Sequence, residues 1–179
     1  MTPQPQPLPP ALARLATDLE LSSGFLLFFI TGPRDHADSV FIRLLPLFDA
    51  YGVRRCRISG PADLDFAAVL TPTPDPRPLI VFMSGLEQMT TEIRKEITER
   101  LNLLRDSWAT YPARILFWLP SWGLSEFRRI APDLFDWRSG LITLNDADLP
   151  IHDELEYLVW ACERHGGGRP LPGGARRWN

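Results

Sequence analysis

Six consecutive apolar residues, Phe25-Leu-Leu-Phe-Phe-Ile30, run into Thr31 and stop at Gly32-Pro33. An unbroken run of this kind lacks the alternation of a strand wet on one face, so it belongs to a strand covered on both. The pattern returns at Leu79-Ile-Val-Phe-Met83, at Ile115-Leu-Phe-Trp-Leu119 ahead of Pro120, and more briefly at Val53 to Ile58 and Leu141-Ile-Thr-Leu144. Such strands need helices on either side. Five of them, most separated by helical stretches, predict an α/β fold with a mostly parallel sheet between two helical layers.

The stretch Thr91 to Thr110 predicts the clearest helix: Ile93, Ile97, Leu101, Leu104 and Trp108 follow the helical period, and Glu96 and Arg100 can pair on the wet side. A second is predicted from about Leu149 to His165, with Pro150 in its first turn, Asp153 and Glu154 at its positive end, Arg164 and His165 at its negative end and Gly166 as the stop. Its apolar face is Ile151, Leu155, Leu158, Val159 and Cys162. Phe41, Leu44, Leu45 and Phe48 fit a further helix, which Pro46 must kink or split. Pro72, Pro74, Pro76 and Pro78 rule out regular structure ahead of the third strand.

Both ends differ from the middle. Five of the 18 prolines fall in residues 1–10, a polyproline II-prone leader expected to be disordered. Residues 166–179 hold five of the 12 glycines and three arginines without an acid, the composition of a flexible basic tail. That leaves one domain over residues 11–165, which suits a chain of 179 residues. The net charge of −3 is spread evenly, with 9 acids and 7 bases in residues 1–90 and 13 and 12 in 91–179, so no basic stripe marks a nucleic-acid partner. The longest apolar run is far short of the roughly 20 residues that span a bilayer, and the start of the chain has no secretory pattern. Cys56 and Cys162 lack metal-ligand spacing and read as small core residues. A reducing, cytoplasmic setting without a metal or cofactor is the expectation.

A strand, a glycine and then a helix is the setting of a phosphate-binding loop, G-x-x-x-x-G-K-[ST]. Its amides surround the phosphates, its lysine neutralises them and its hydroxyl binds magnesium. Counted from Gly32, the second glycine falls at Ala37, the lysine at Asp38 and the hydroxyl at Ser39. Asp38 sets a negative charge against the several that a nucleotide brings, and Pro33 removes an amide donor. The third strand has a matching defect. Where nucleotide hydrolases of this architecture carry a magnesium-holding acid, Met83 is followed by Ser84 and Gly85, with Glu87 three residues late. These two segments leave two accounts open: a P-loop fold without a competent site, or an unrelated α/β fold that never had one.

The second half of the chain shifts the weight toward the first. Leu101-Asn-Leu-Leu-Arg-Asp-Ser-Trp108, Arg114-Ile-Leu-Phe-Trp-Leu-Pro-Ser-Trp-Gly-Leu124, Ala131-Pro-Asp-Leu-Phe-Asp-Trp-Arg-Ser-Gly140 and then Leu141-Ile-Thr-Leu144 follow in order. This succession resembles the inactive STAND domains, a degenerate AAA-like P-loop family of bacterial signalling and defence proteins often fused to tetratricopeptide repeats. The similarity covers about residues 11–145 and is most specific over 101–144. It implies a P-loop-NTPase-like three-layer fold without working phosphate and magnesium motifs, used for assembly or sensing. The chain departs from the family in having no room for repeats or a separate effector domain.

Other chemistry is thinner. His36, Asp38 and Ser39 can be drawn as a hydrolytic group, but no nucleophile-elbow pattern accompanies Ser39. Trp108 and Trp118 take core positions, whereas Trp122, Phe127 and Trp137 fall among turns and a short helix beside Arg128, Arg129 and Arg138. Aromatics next to arginines are the composition of interaction hot spots; a satellite core under the loop is the competing account. The sequence therefore points to a non-catalytic module with a protein partner. The alternative is a nucleotide or small-molecule sensor that binds without hydrolysis.

Overall fold

The computed structural model describes residues 9–33, 37–71, 77–145 and 148. The chain runs α1 (Pro10–Leu21), β1 (Leu26–Gly32), α2 (Ala37–Leu44), β2 (Gly52–Arg57), α3 (Phe66–Leu70), β3 (Leu79–Ser84), α4 (Thr91–Trp108), β4 (Ala113–Pro120), α5 (Ser121–Ile130), α6 (Pro132–Asp136) and β5 (Gly140–Thr143). All five strands join one parallel sheet in the order β2-β3-β4-β1-β5. The architecture is the expected α/β, P-loop-like three-layer fold, with every predicted strand in place.

Alternate residues of the inner strands β1, β3 and β4 feed two cores. Leu27, Phe29, Val81, Met83, Ile115 and Phe117 face α3 to α6, while Phe28, Ile30, Ile80, Phe82, Leu116 and Trp118 face α1 and α2. Strands buried on both faces explain why the sequence shows unbroken apolar runs instead of alternation. From β1 the chain crosses to β2 beneath α2 on one face, then returns through α3 and α4 on the other. Opposite directions on opposite faces are what right-handed crossovers require.

Two helical readings need correction. Residues 11–24 carry no element in the sequence reading, yet α1 begins at Pro10 and buries Leu12, Leu15 and Leu19. Pro9, placed in the leader, is buried, and its carbonyl accepts from the Leu12 and Ala13 amides at 2.9 and 3.0 Å. The described residues and α1 thus begin inside the expected leader. Deleting residues 1–8 should leave the melting temperature unchanged, while deleting 1–12 also removes this cap and a buried leucine. A fall of about 5 °C is expected for the longer deletion, from roughly 1.5–3 kcal/mol per buried leucine. Equal melting curves for the two deletions would show that α1 is not docked. The other correction is Ile93, expected on the buried stripe of α4 but 40% exposed. Eighteen helical residues span about 27 Å whereas the six of β3 span about 20 Å, so the first turn overhangs the sheet. Glu96 and Arg100 do pair, at 3.9 Å. The segment with Pro46 is split: α2 ends at Leu44 and a 3-10 turn covers Leu45–Phe48.

The far end of α1 shows how a buried cation is held. Arg114 is 7% exposed and donates to the Ser22 carbonyl at 2.9 Å, and the Tyr51 hydroxyl donates to the Leu19 carbonyl at 3.1 Å. Both satisfy carbonyls at the negative end of a helix that has no basic residue in its own last turn. The predicted helix 149–165, the prolines 72–76, the residues His36, His152 and His165, Cys162 and the basic tail lie outside the described residues. Among the described residues no helix is long and apolar enough to cross a membrane.

Candidate functional site

In an open parallel sheet, ligands bind where neighbouring strands send their chains to opposite sides. Here β1 leads to α2 on one face and β4 leads to α5 on the other, so the switch point lies at Gly32 and Pro120, which are paired in register. The Ser121 hydroxyl donates to the Gly32 carbonyl at 3.3 Å and ties the two strand ends together. The helix α2 begins at Ala37, the position counted as the second glycine of a phosphate loop.

Gly32 has a packing reason of its own. A Cβ there would meet the Trp118 ring at 2.9 Å and the Leu144 carbonyl oxygen at 3.2 Å, because β1 is squeezed between β4 and β5. Ala37 is buried in the core under α2. Asp38 is exposed in the first turn of α2 and forms an ion pair with Arg55 of β2. Arg55 also lies over the Phe41 ring, 5.2 Å from its centroid. The position that carries a lysine in a phosphate loop therefore carries a carboxylate whose counter-charge comes from the protein. Ser39 is half-buried and engaged in contacts of its own.

At the end of β3, Ser84 is 2% exposed where an acid is required. Gly85 then turns the chain at φ +116°, and Glu87, also buried, accepts the Gly85 N–H through Oε2 at 2.9 Å. The turn that makes Glu87 late in sequence also folds its carboxylate back onto the backbone. Nearby Asp63 accepts from the Ser59 amide and hydroxyl at 2.7 and 2.6 Å, and these bonds hold its carboxyl below the usual range. Cys56, packed beside the core, has its thiol pushed up to about 11 by burial and by the Asp63 charge. It is held as a thiol, as befits a packing residue. Among the described residues no group of three His, Cys, Asp or Glu side chains could hold a metal.

The aromatic segment after β4 is two helices, not turns. Phe127 faces inward and is 2% exposed, its ring 5.1 Å from Phe29 and 5.4 Å from Phe117. It is core, so its assignment to a partner surface is corrected. Trp122 is 44% exposed and lies against Arg94 of α4, 4.6 Å from ring centroid to guanidinium. Arg94 in turn donates to Glu126 at 2.7 Å and to the Met89 carbonyl at 3.1 Å, holding α4 to α5. Trp137, 39% exposed, ends α6 with Arg138 beside it; Arg138 and Arg128 both lie over Phe135, at 4.2 and 5.7 Å. Arg129 is exposed. The expected patch is thus divided, with Trp122 opening α5 just past β4 and Trp137 at the far end of α6, ahead of β5.

Two contributors escaped the sequence reading, Arg55 and Arg94. For Arg55 there was a signal: three arginines in Gly52–Arg57 mark an edge strand guarded by charge. No protein-family model matches the chain, and no curated protein matches it.

Proposed function

We propose that the chain is a P-loop-like domain without nucleotide hydrolysis that acts as a protein-interaction or regulatory module in bacterial signalling or antiphage defence. The observation that carries this reading is the Asp38–Arg55 ion pair at the position of the phosphate-loop lysine. A triphosphate brought to this loop meets a carboxylate already matched by its own arginine, and Ser84 offers no charge for magnesium. The succession of motifs over 101–144 supports the signalling setting. The exposed Trp122, Trp137, Arg128, Arg129 and Arg138 are the groups for an acidic protein partner.

Titration calorimetry with ATP or GTP and magnesium should give no binding heat, and neither nucleotide should raise the melting temperature. A ligand at a hundredfold excess over its Kd would stabilise the fold by about 2.7 kcal/mol. Micromolar binding abolished by Ser39→Ala would sink this reading and favour a sensor that binds nucleotide without turnover.

A further inference from the structure

The helices α5 and α6 carry three acids, Glu126, Asp133 and Asp136, and each is met by an arginine. Arg94 of α4 pairs with Glu126 at 2.7 Å, Arg105 of α4 with Asp133 at 3.6 Å, and Arg138 with Asp136 at 3.7 Å. Two cations of α5 stand outside this pairing. Among the described residues Arg128 and Arg129 meet no carboxylate, and both are exposed.

Their place on α5 joins them to Trp122. Gly123 and Phe127 are buried and fix the inward side of the helix; at about 100° per residue, Trp122, Ser125 and Arg129 share the outward side. All three are exposed, Trp122 at 44%. Glu126 flanks this stripe toward α4, where Arg94 holds it, and Arg128 flanks it toward α6, over the Phe135 ring. Trp122 and Arg129 lie two turns apart, about 10.5 Å along the helix axis. The helix dipole favours cations in the last turn of α5, where Arg128 and Arg129 stand. It does not account for the ring two turns earlier on the same side. Tryptophan and arginine are the residues that anchor protein interfaces, and an outside carboxylate that reaches Arg128 or Arg129 breaks no existing ion pair. Arg94 and Arg138, by contrast, already face Glu126 and Asp136.

We propose that the outward stripe of α5, from Trp122 through Ser125 to Arg129 with Arg128 beside it, is the docking face for an acidic segment of a partner protein. The segment lays an apolar side chain on the Trp122 ring and sets carboxylates against Arg129 and Arg128. Trp137 and Arg138 stand outside the contact. This inference rests on the reading of the chain as a protein-interaction module and narrows it to one helix face and one charge.

Selection of random dodecapeptides on the full chain tests it. The bound pool should be enriched in sequences that combine acids with an aromatic or aliphatic residue. A peptide from that pool should lose at least about tenfold in affinity with Trp122→Ala and with Arg129→Glu. Glu96→Gln, on the wet face of α4, should leave its Kd unchanged. Enriched peptides whose affinity ignores both α5 changes overturn this proposal and leave the interaction-module reading standing; a pool with no enrichment overturns both. Peptides enriched without acids refute the charge complementarity. So does a thymine-only single strand of DNA that binds more tightly than the best acidic peptide and is lost with Arg129→Glu, which would assign the cations to nucleic acid. Should Trp122→Ala not fold, Arg129→Glu alone decides, since it changes an exposed side chain: unchanged peptide affinity refutes docking on this stripe.

Discussion

Gly85→Ala should lower the stability of the domain by about 3–5 kcal/mol, seen as a fall of roughly 10 °C in melting temperature. Two causes add. Gly85 has φ +116°, where a side chain strains the backbone, and a Cβ there would lie 2.1 Å from the carbonyl oxygen of Ile58. That oxygen is backbone and cannot swing aside: Ile58 is tied to the end of β3 by its N–H to the Ser84 carbonyl at 2.8 Å. Gly24 provides the control, since it also has positive φ, +83°, but nothing lies within 4 Å of its Cβ position. Gly24→Ala should cost only the backbone term, about 1–2 kcal/mol. Thermal melts of both variants check this, and a Gly85→Ala protein no less stable than Gly24→Ala would mean that β2 does not close on this turn. The turn matters beyond stability, because it folds the Glu87 carboxylate back onto the Gly85 amide.

What could be read in the sequence depended on how locally each signal was encoded. The strands β1, β3 and β4 were legible because each is buried on both faces, which makes an apolar run that needs no partner to interpret; β2 and β5 lie at the edges of the sheet and left shorter signals. The end of the first strand at Gly32 was legible too, since Gly32-Pro33 closes its apolar run. The helix α1 was not. Its Leu12, Leu15 and Leu19 spacing is present, but it has no capping side chain and no acid in its first turn, and it begins within the proline-rich leader. The ion pair of Asp38 with Arg55 joins positions 17 apart, brought together only when the β1 to β2 crossover is made. Asp38 read alone is a repulsive charge; the structure adds that it engages Arg55 in an ion pair, so the lysine position of a phosphate loop presents a carboxylate and no cation of its own. Phe127 was misplaced for a simpler reason. Read as a helix, Ser121–Ile130 puts Gly123 and Phe127 four apart on one inward face, continued by Ala131; read as turns, it gives no face at all.

Phe127 and Trp122 should therefore separate cleanly when each is cut to alanine. Phe127 lies within ring contact of Phe29 and Phe117 at the centre of the larger core, so Phe127→Ala leaves a cavity among groups that cannot all close over it. The expected loss is about 3–5 kcal/mol, again near 10 °C in melting temperature. Trp122→Ala removes a half-exposed ring stacked on the Arg94 guanidinium, an interaction worth about 0.5–1 kcal/mol, or no more than about 3 °C. Arg94 keeps its bonds to Glu126 and Met89 in that variant, so the α4 to α5 junction should hold. Denaturant melts of both variants decide the matter. If Trp122→Ala is as damaging as Phe127→Ala, the ring is a structural wedge between two helices and the proposed partner surface loses its anchor. If it folds normally, Trp122 is free to be kept for binding, and any partner later found should lose affinity for this variant while its affinity for Glu96→Gln, on the wet face of α4, stays unchanged.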